Sequence, residues 1–171
     1  AIEKYLNMYH QLYGLDYTVL RIGTLYGRAP VVRFDAVANK FARLAGVGKP
    51  LTVYGEGDQR RPFVHVDDAA DAVCWALGRH DASEGEIFNI VGSNPSVVDL
   101  VEAIRATVPD ARTRYTEQDI RTHLSFEMDG RKTREAGWSA AVSLNEGLAG
   151  LVERFRGFEP ARPDVGLADE L

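Results

Sequence analysis

The chain has 171 residues, which is enough for one ordinary domain and a small second one. A hydrophobic share of 45% and a charged share of 26% are ordinary for a globular protein and exclude a disordered or collagen-like chain. The net charge of -5 argues against a sequence-independent nucleic-acid binder, which needs a basic stripe. No apolar run is long enough to cross a membrane, and a single cysteine permits no internal disulfide. We therefore expect a cytoplasmic protein with no membrane or nucleic-acid partner.

The first third of the chain alternates predicted helices and strands. Apolar residues at helical spacing predict a helix over residues 2–13, which Gly14 ends. Residues 17–22 form a nearly continuous apolar run that is typical of a strand buried on both faces, and a loop follows it. A second helical stripe covers residues 34–45, and residues 51–54 predict another strand.

The alternation continues through the middle of the chain. Residues 63–66 predict a short strand. Asp67 or Asp68 is then expected to cap a helix that runs to about Leu77, because a carboxylate at that position accepts hydrogen bonds from the free N–H groups of the first turn. Residues 86–90 predict a further strand.

The spacing of capping residues predicts the start of two later helices. Ser96 with Asp99, and Ser143 with Glu146, place a hydroxyl three residues before an acid, as in a capping box. Apolar residues at helical spacing follow both pairs. Strands that alternate with helices in this way predict an α/β fold with a largely parallel sheet.

Searches for well-known chemical motifs exclude several functions. The sequence has no phosphate-binding P-loop and no glycine-rich dinucleotide fingerprint. It also has no His-Glu-x-x-His or paired-cysteine arrangement, and its four histidines are isolated, so no metal site is expected.

Two segments in the first half are candidates for a binding site. In Leu20–Gly27 a predicted strand runs into small residues, and ligands of open α/β sheets bind at such carboxyl ends of strands. The alternative is a plain strand-to-loop turn. The second segment is Val53–Asp68, in which Arg61 lies between two predicted strands. Arg61 could bind a phosphate through two parallel hydrogen bonds, and Tyr54 could pack against a base or sugar. Its alternative is a surface arginine in a hairpin.

A third segment covers residues 119–138. Arg121 is a candidate for a second anion contact. Trp138 follows Gly137 between two helical patterns, and we expect this large ring to lie in the core.

Together and in this order, the segments resemble the C-terminal half of an extended short-chain dehydrogenase/reductase, and more narrowly the NAD-dependent sugar-nucleotide epimerase/dehydratase family. Tyr54–Asp68 is similar to the family's Y-G-x-G-x-Q-x-R-x-F-x-x-V-x-D signature. Leu20–Gly27 resembles its L-R-x-x-N-x-Y-G loop, with Thr24 in place of the Asn. The other matching segments are Phe88–Gly92, Asp129–Trp138 and Ser143–Leu148.

The resemblance implies the C-terminal part of a Rossmann-type parallel sheet plus a smaller α/β substrate-binding subdomain. Residues 1–33 and 63–92 are expected to belong to the remainder of the dinucleotide-binding domain. Residues 34–62 and 93–156 are expected to form the substrate-binding subdomain, and residues 157–171 a flexible tail.

The resemblance also implies an epimerase or dehydratase that uses NAD or NADP, acts on a nucleoside-diphosphate sugar and works through a transient 4-keto sugar. In such enzymes a glycine-rich loop binds the dinucleotide, and the Tyr of a Tyr-x-x-x-Lys pair takes a hydroxyl proton. This sequence contains neither motif. We therefore expect the substrate-binding half of a longer enzyme, without a catalytic residue of its own and inactive alone. The cofactor would be bound mainly by an N-terminal half, and a homodimer fits the family.

Arg61 is the central residue of this expectation, because it is assigned to the diphosphate. The residues expected to bind substrate are Arg61, Arg121, Tyr54, Val53 and Thr24, and those expected beside the cofactor are Gly23 and Tyr26. The assignment requires that Arg61 lies near the Thr24 loop rather than in open solvent. The alternative function is a complete, non-catalytic module that binds a nucleotide sugar or another protein.

Overall fold

The computed structural model describes residues 2–79, 85–117 and 125–157. In chain order its elements are α1 (Ile2–Tyr13), β1 (Thr18–Ile22), β2 (Thr24–Tyr26), α2 (Val37–Gly46), β3 (Leu51–Tyr54), β4 (Phe63–His65), α3 (Val66–Leu77), β5 (Glu86–Ile90), α4 (Val97–Thr107), β6 (Thr113–Thr116), α5 (Arg131–Glu135) and α6 (Leu144–Phe155). None of the helices in these ranges combines the length and the apolar character that a membrane span requires.

All strand pairs of the described residues are parallel. β1 pairs with β5, β2 with β4 and β3 with β6, each pair forming a two-stranded sheet. Helices connect the strands, as parallel pairing requires, because a parallel partner can be reached only by a crossover. The predicted α/β class is confirmed.

The two predicted capping boxes are confirmed. The N–H of Asp99 donates to Ser96 Oγ at 3.1 Å, and the N–H of Glu146 donates to Ser143 Oγ at 3.3 Å. In both cases the acid side chain accepts the N–H of the serine in return. α4 and α6 therefore begin where the sequence predicts, because each local motif satisfies free N–H groups at the helix end.

Three short elements, β2, β6 and α5, are absent from the sequence-based prediction. β2 occupies part of the segment that the sequence predicts as a loop after residue 22. Three residues are too few to show alternation, and the pairing of β2 with β4 is distant in the sequence. The predicted helix over residues 34–45 begins only at Val37.

The start of α3 differs from the prediction. His65 is the N-cap, and its Nδ1 accepts a hydrogen bond from the N–H of Asp67 at 3.3 Å. Asp68 is buried, and its carboxylate accepts the N–H groups of Ala141 at 2.9 Å and Val142 at 3.2 Å. The prediction that Asp67 or Asp68 caps this helix is therefore wrong. His65 caps it, and the Asp68 carboxylate accepts hydrogen bonds from the segment before α6 instead.

Two clusters of buried side chains form the core. The larger cluster joins α2, β3, α4 and α6 and includes Tyr26 and Phe63. The smaller cluster lies between β4, β5 and α3 and includes Trp138, which is 4% exposed, so its predicted core position is confirmed. The clusters do not follow the predicted division residue by residue, because Tyr26 and Phe63 lie in the larger cluster and Trp138 lies in the smaller one. The domain boundaries stay a prediction, and the residues from 158 onwards lie outside the described ranges.

α1 and the end of β1 form the least buried part of the structure. α1 has no buried residue, and it contacts β1 through a salt bridge between Glu3 and Arg21. Ile22 is 41% exposed. The expectation that this strand is buried on both faces is therefore wrong for this structure.

Candidate functional site

The carboxyl ends of β1 and β5 meet the start of β4 at one point of the structure. The N–H of Gly23 donates to Ile90 O at 2.9 Å, and the N–H of Thr24 donates to Pro62 O at 2.7 Å. At Gly23 the chain thus passes from a position beside β5 to a position beside β4. We call this place the crossing. Ligands of open α/β sheets bind outside the carboxyl ends of strands, where neighbouring connections separate, so the crossing is the candidate site.

Gly23 is required at the crossing by the close approach of three backbone segments. A Cβ at this position would lie 3.1 Å from Pro62 O and 3.5 Å from Ile90 O. The space beside the Gly23 Cα is thus filled by protein backbone rather than left open as a cradle for a dinucleotide. The packing explains the glycine, and its proximity to a cofactor stays a prediction.

Arg61 lies immediately before Pro62 and is held beside the crossing. Its N–H donates to Pro95 O at 3.2 Å. Its guanidinium carbon lies over the Phe126 ring, 5.0 Å from the ring centroid, and the residue is partly buried. Arg61 therefore directly precedes the residue that bonds to the Thr24 backbone, and its side chain packs on an aromatic ring. Its contact with a phosphate stays a prediction.

Arg60 is held by charged and polar neighbours. Its Nη1 donates to Asn94 O at 2.9 Å and lies 3.6 Å from a carboxylate oxygen of Asp99. Its Nε lies 3.6 Å from a carboxylate oxygen of Glu127. Arg60 therefore links the 93–96 loop to the 125–128 segment, and we interpret its role as structural.

Thr24 and Tyr54 are partly exposed, whereas Val53 is not. Val53 is 0% exposed and belongs to the larger core cluster, so its side chain is not available to a ligand, and its place beside a base stays a prediction. Gln59 Nε2 donates to Tyr54 O at 3.5 Å, which closes the turn that leads from Tyr54 to Arg61. Of the pair at the end of β3, only the Tyr54 side chain is available to a ligand.

Tyr26 is a core residue. Its ring is 3% exposed and packs edge-on against the rings of Phe63 and His65. Burial, together with the negative charges of Asp68 and Glu146, raises the pKa of Tyr26 to about 12. The hydroxyl therefore stays protonated near neutral pH and is a poor base. This packing does not support the expectation that the Tyr26 side chain contacts the cofactor.

A polar depression of about 330 Å³ lies at the carboxyl end of β5. It is lined among others by Gly92, Asn94, Glu127 and Arg134. Asn94 Nδ2 donates to Met128 O at 3.2 Å, which joins the two walls. Because Asn94 and Glu127 also contact Arg60, this depression borders the same loop that carries Arg61.

One of the expected site residues lies outside the described ranges, and the structure adds two residues that the sequence did not indicate. Arg121 lies outside the described residues. Phe126 and Asn94 were missed by the sequence analysis, because the segment around each shows no periodicity. Among residues 2–79, 85–117 and 125–157, no group of three or more His, Cys, Asp and Glu side chains could hold a metal ion.

Known proteins resemble this chain in sequence and in structure. Residues 1–91 match the model of the NAD dependent epimerase/dehydratase family. The UDP-glucose 4-epimerase of Mycolicibacterium smegmatis is 34% identical over 91% of this chain and 50% of its own length. The chain spans about half the length of the curated relatives it matches.

Solved structures of related enzymes superpose on the described fold. The UDP-glucose 4-epimerase of Thermotoga maritima with UDP-glucose has a TM-score of 0.72 and 29% identity, over 90% of this chain and 50% of its own. The UDP-glucuronic acid 4-epimerase of Bacillus cereus in complex with UDP-glucuronic acid and NAD has a TM-score of 0.74 and 25% identity, over 90% of this chain and 49% of its own.

Proposed function

Because this chain belongs to the NAD dependent epimerase/dehydratase family, we propose that it is the part of an NAD(P)-dependent epimerase or dehydratase that binds a nucleoside-diphosphate sugar. The parent reaction passes through a transient 4-keto sugar, and the bound nicotinamide supplies the hydride acceptor. Similar enzymes act on UDP-sugars, and solved relatives contain UDP-glucose or NAD. The alternative of a non-catalytic module is not favoured, since the relatives are epimerases and dehydratases.

The position of Arg61 carries this proposal. Arg61 is partly buried and directly precedes Pro62, whose carbonyl oxygen accepts the N–H of Thr24 at the crossing. Arginine binds phosphates through two parallel hydrogen bonds, and such charge-assisted bonds are strong away from bulk water. We assign binding of the diphosphate to Arg61, of the nucleotide base to Tyr54 and of the sugar to Thr24. Arg121 remains a proposed second contact.

The residues of this chain supply recognition rather than the catalytic step. The sequence holds neither the glycine-rich loop nor the Tyr-x-x-x-Lys pair of the family. The described residues at the crossing fit the edge of a dinucleotide site but form no cradle for its diphosphate, because backbone atoms fill the space beside Gly23. We propose that NAD is held mainly by the half of the relatives that this chain does not match, and that the chain alone is inactive.

A homodimer is the proposed assembly. The exposed aromatic side of α1 supports it, since Tyr5, Tyr9 and Tyr13 are 61%, 47% and 73% exposed. Exposed apolar groups repeated along one helix are typical of a surface that another chain covers. A cytoplasmic location and the absence of nucleic-acid and membrane partners stay predictions of the sequence.

The substitution Arg61→Ala tests the proposed function. We expect it to weaken binding of UDP-glucose to this chain by about ten- to a hundredfold, because a charge-assisted phosphate contact contributes roughly 1.5–3 kcal/mol. Isothermal titration calorimetry measures this change.

Arg112→Ala is the matched control. It removes the same charge at the other end of the β3–β6 pair, where Arg112 O accepts the N–H of Leu51. Its affinity should equal that of the unsubstituted chain. If the Arg61→Ala chain binds UDP-glucose normally, Arg61 is not part of the binding site. If the unsubstituted chain binds no nucleotide sugar, the proposal as a whole is contradicted.

A further inference from the structure

Phe126 is an aromatic residue whose position the core does not explain. Its side chain is 48% exposed, and it belongs to neither of the two clusters of buried residues. The ring lies under the guanidinium of Arg61, with the Arg61 Cζ 5.0 Å from the ring centroid. This distance is within the range of a cation–π interaction.

The backbone holds Phe126 at this place from both sides. The N–H of Phe126 donates to Arg60 O at 3.1 Å, and the N–H of Arg60 donates to Ser125 Oγ at 3.0 Å. Two residues later, the N–H of Met128 donates to Asn94 Oδ1 at 2.9 Å. The ring is thus presented by a tethered segment, although no helix or strand contains it.

The adjacent arginines are positioned by different means. Arg60 lies near two carboxylates, those of Asp99 and Glu127, which offset its charge. The Phe126 ring attracts the Arg61 guanidinium through its π face and adds no negative charge of its own. The N–H groups of a guanidinium lie in its plane, so a ring packs on its face and an anion is bound at its edge.

We propose that Phe126 is a positioning residue for Arg61, which holds the guanidinium over its ring so that the N–H edge faces the diphosphate of a nucleoside-diphosphate sugar. The inference rests on the proposed function, since it assumes that Arg61 binds the diphosphate. Phe126 then sets the part of the affinity that comes from the diphosphate and leaves the part that comes from the nucleoside unchanged.

Phe126→Leu removes the π face and keeps an apolar side chain at a site outside the core, so the variant should fold. We expect it to weaken binding of UDP by about three- to tenfold and to leave the much weaker binding of uridine unchanged, both measured by calorimetry or competition. Phe126→Tyr keeps the ring and should bind UDP within about twofold of the unsubstituted chain. In an Arg61→Ala background, Phe126→Leu should cause no further loss, because the residue acts through Arg61.

The contact itself has a readout that needs no ligand. In nuclear magnetic resonance, the Arg61 Nε–H signal should shift in Phe126→Leu and stay near its original position in Phe126→Tyr, because the aromatic ring current is lost only in the first variant. This shift reports the contact between the ring and the guanidinium, and the comparison of UDP with uridine tests whether that contact positions Arg61 for the diphosphate.

The outcomes separate the inference from the proposed function. If Arg61→Ala weakens UDP binding and Phe126→Leu does not, the inference is wrong and the proposed function stands. If Phe126→Leu weakens uridine binding equally, or weakens UDP binding equally without Arg61, the ring acts on the nucleoside or on the fold, and the inference is again wrong. If Arg61→Ala binds UDP normally, Arg61 is not part of the site and the inference is wrong, whereas the proposed function as a whole fails only if the unsubstituted chain binds no nucleotide sugar.

Discussion

Asp67 and Asp68 are adjacent in the sequence and have opposite environments. The Asp67 side chain is 80% exposed, whereas Asp68 is 5% exposed and accepts the N–H groups of Ala141 and Val142. Asp68 therefore fixes the segment before α6 to the start of α3. The hydrogen bonds from these two N–H groups offset the cost of burying the Asp68 carboxylate. At the residue scale, long-range partners decide the role of a side chain.

Ionisation of Tyr26 is expected to lower the free energy of unfolding of the protein at alkaline pH. Its pKa is raised from 10.0 to about 12 by burial and by the charges of Asp68 and Glu146. The stability contributed by burying the neutral hydroxyl is fully present below pH 10.0, where the unfolded tyrosine ionises, and is lost as the pH rises to about 12. We expect Tyr26→Phe to abolish this loss, which amounts to roughly 2–3 kcal/mol.

Urea unfolding at several pH values between about 9 and 12 measures this effect as the difference between Tyr26→Phe and the unsubstituted chain. Tyr115→Phe is the control, because Tyr115 is 57% exposed in β6. The difference should grow with pH for Tyr26→Phe and stay constant for Tyr115→Phe. A constant difference for both variants would show that Tyr26 ionises normally in the folded protein.

At the scale of elements, α6 connects the local sequence to the core. Its capping box fixes the first turn, and the hydroxyl and N–H of Ser143 hold the pKa of Glu146 below its usual value. Leu148 and Leu151 are fully buried in the larger cluster. The first turn also touches β2, where the Tyr26 ring lies against Gly147. The helix is therefore positioned by its cap at one end and by a close contact within its first turn.

The two glycines of α6 should respond to alanine with opposite signs. A Cβ at Gly147 would lie 2.7 Å from Tyr26 Cε2 and 2.9 Å from the Tyr26 hydroxyl oxygen, so either α6 or the Tyr26 ring must shift. A Cβ at Gly150 would meet no atom within 4 Å. We expect Gly147→Ala to lower the free energy of unfolding by about 1–3 kcal/mol through overpacking, and Gly150→Ala to raise it by roughly 0.5–1 kcal/mol through higher helix propensity.

Thermal and urea unfolding of the two variants measure these changes, and Gly150→Ala serves as the control for helix propensity. Gain of stability in both variants would mean that the Tyr26 ring can move aside without loss. Loss in both would mean that α6 does not tolerate alanine for a reason other than the contact with Tyr26.

At the scale of the molecule, α1 carries several of the exposed apolar side chains of the described residues. Besides the tyrosines of α1, Ile2, Leu12 and Leu77 are 75%, 64% and 74% exposed. α1 contacts β1 through the salt bridge between Glu3 and Arg21, and the described partner of β1 is β5 alone.

The proposed homodimer makes a prediction for the whole molecule. The double substitution Tyr9→Glu with Tyr13→Glu places two charges on the exposed side of α1 and should convert a dimer into a monomer, because burying unpaired charge opposes association. Light scattering coupled to size exclusion measures the mass. Val31→Glu is the control, since Val31 is 83% exposed outside the helix. A monomeric unsubstituted chain would contradict the homodimer.

The sequence by itself determined the α/β class, the cores of most helices and strands, and both capping boxes. These features depend on residues that lie within a few positions of one another, as with Ser96 and Asp99. The segments that resemble the family, above all Tyr54–Asp68, also led to the prediction that Arg61 binds the diphosphate. Periodicity, caps and motifs are local and can be read without coordinates.

Only the tertiary structure decided which side chains remain available at the site. Val53 and Tyr26 are core residues, because β3 and β2 turn them toward α4 and α6. Phe126 reaches Arg61 through hydrogen bonds to Arg60, which is far away in the sequence. The short strands β2 and β6 form because they pair with β4 and β3, which are distant in the sequence, and no local pattern specifies these partners. Burial and long-range pairing depend on how distant segments meet, and a linear pattern does not contain that information.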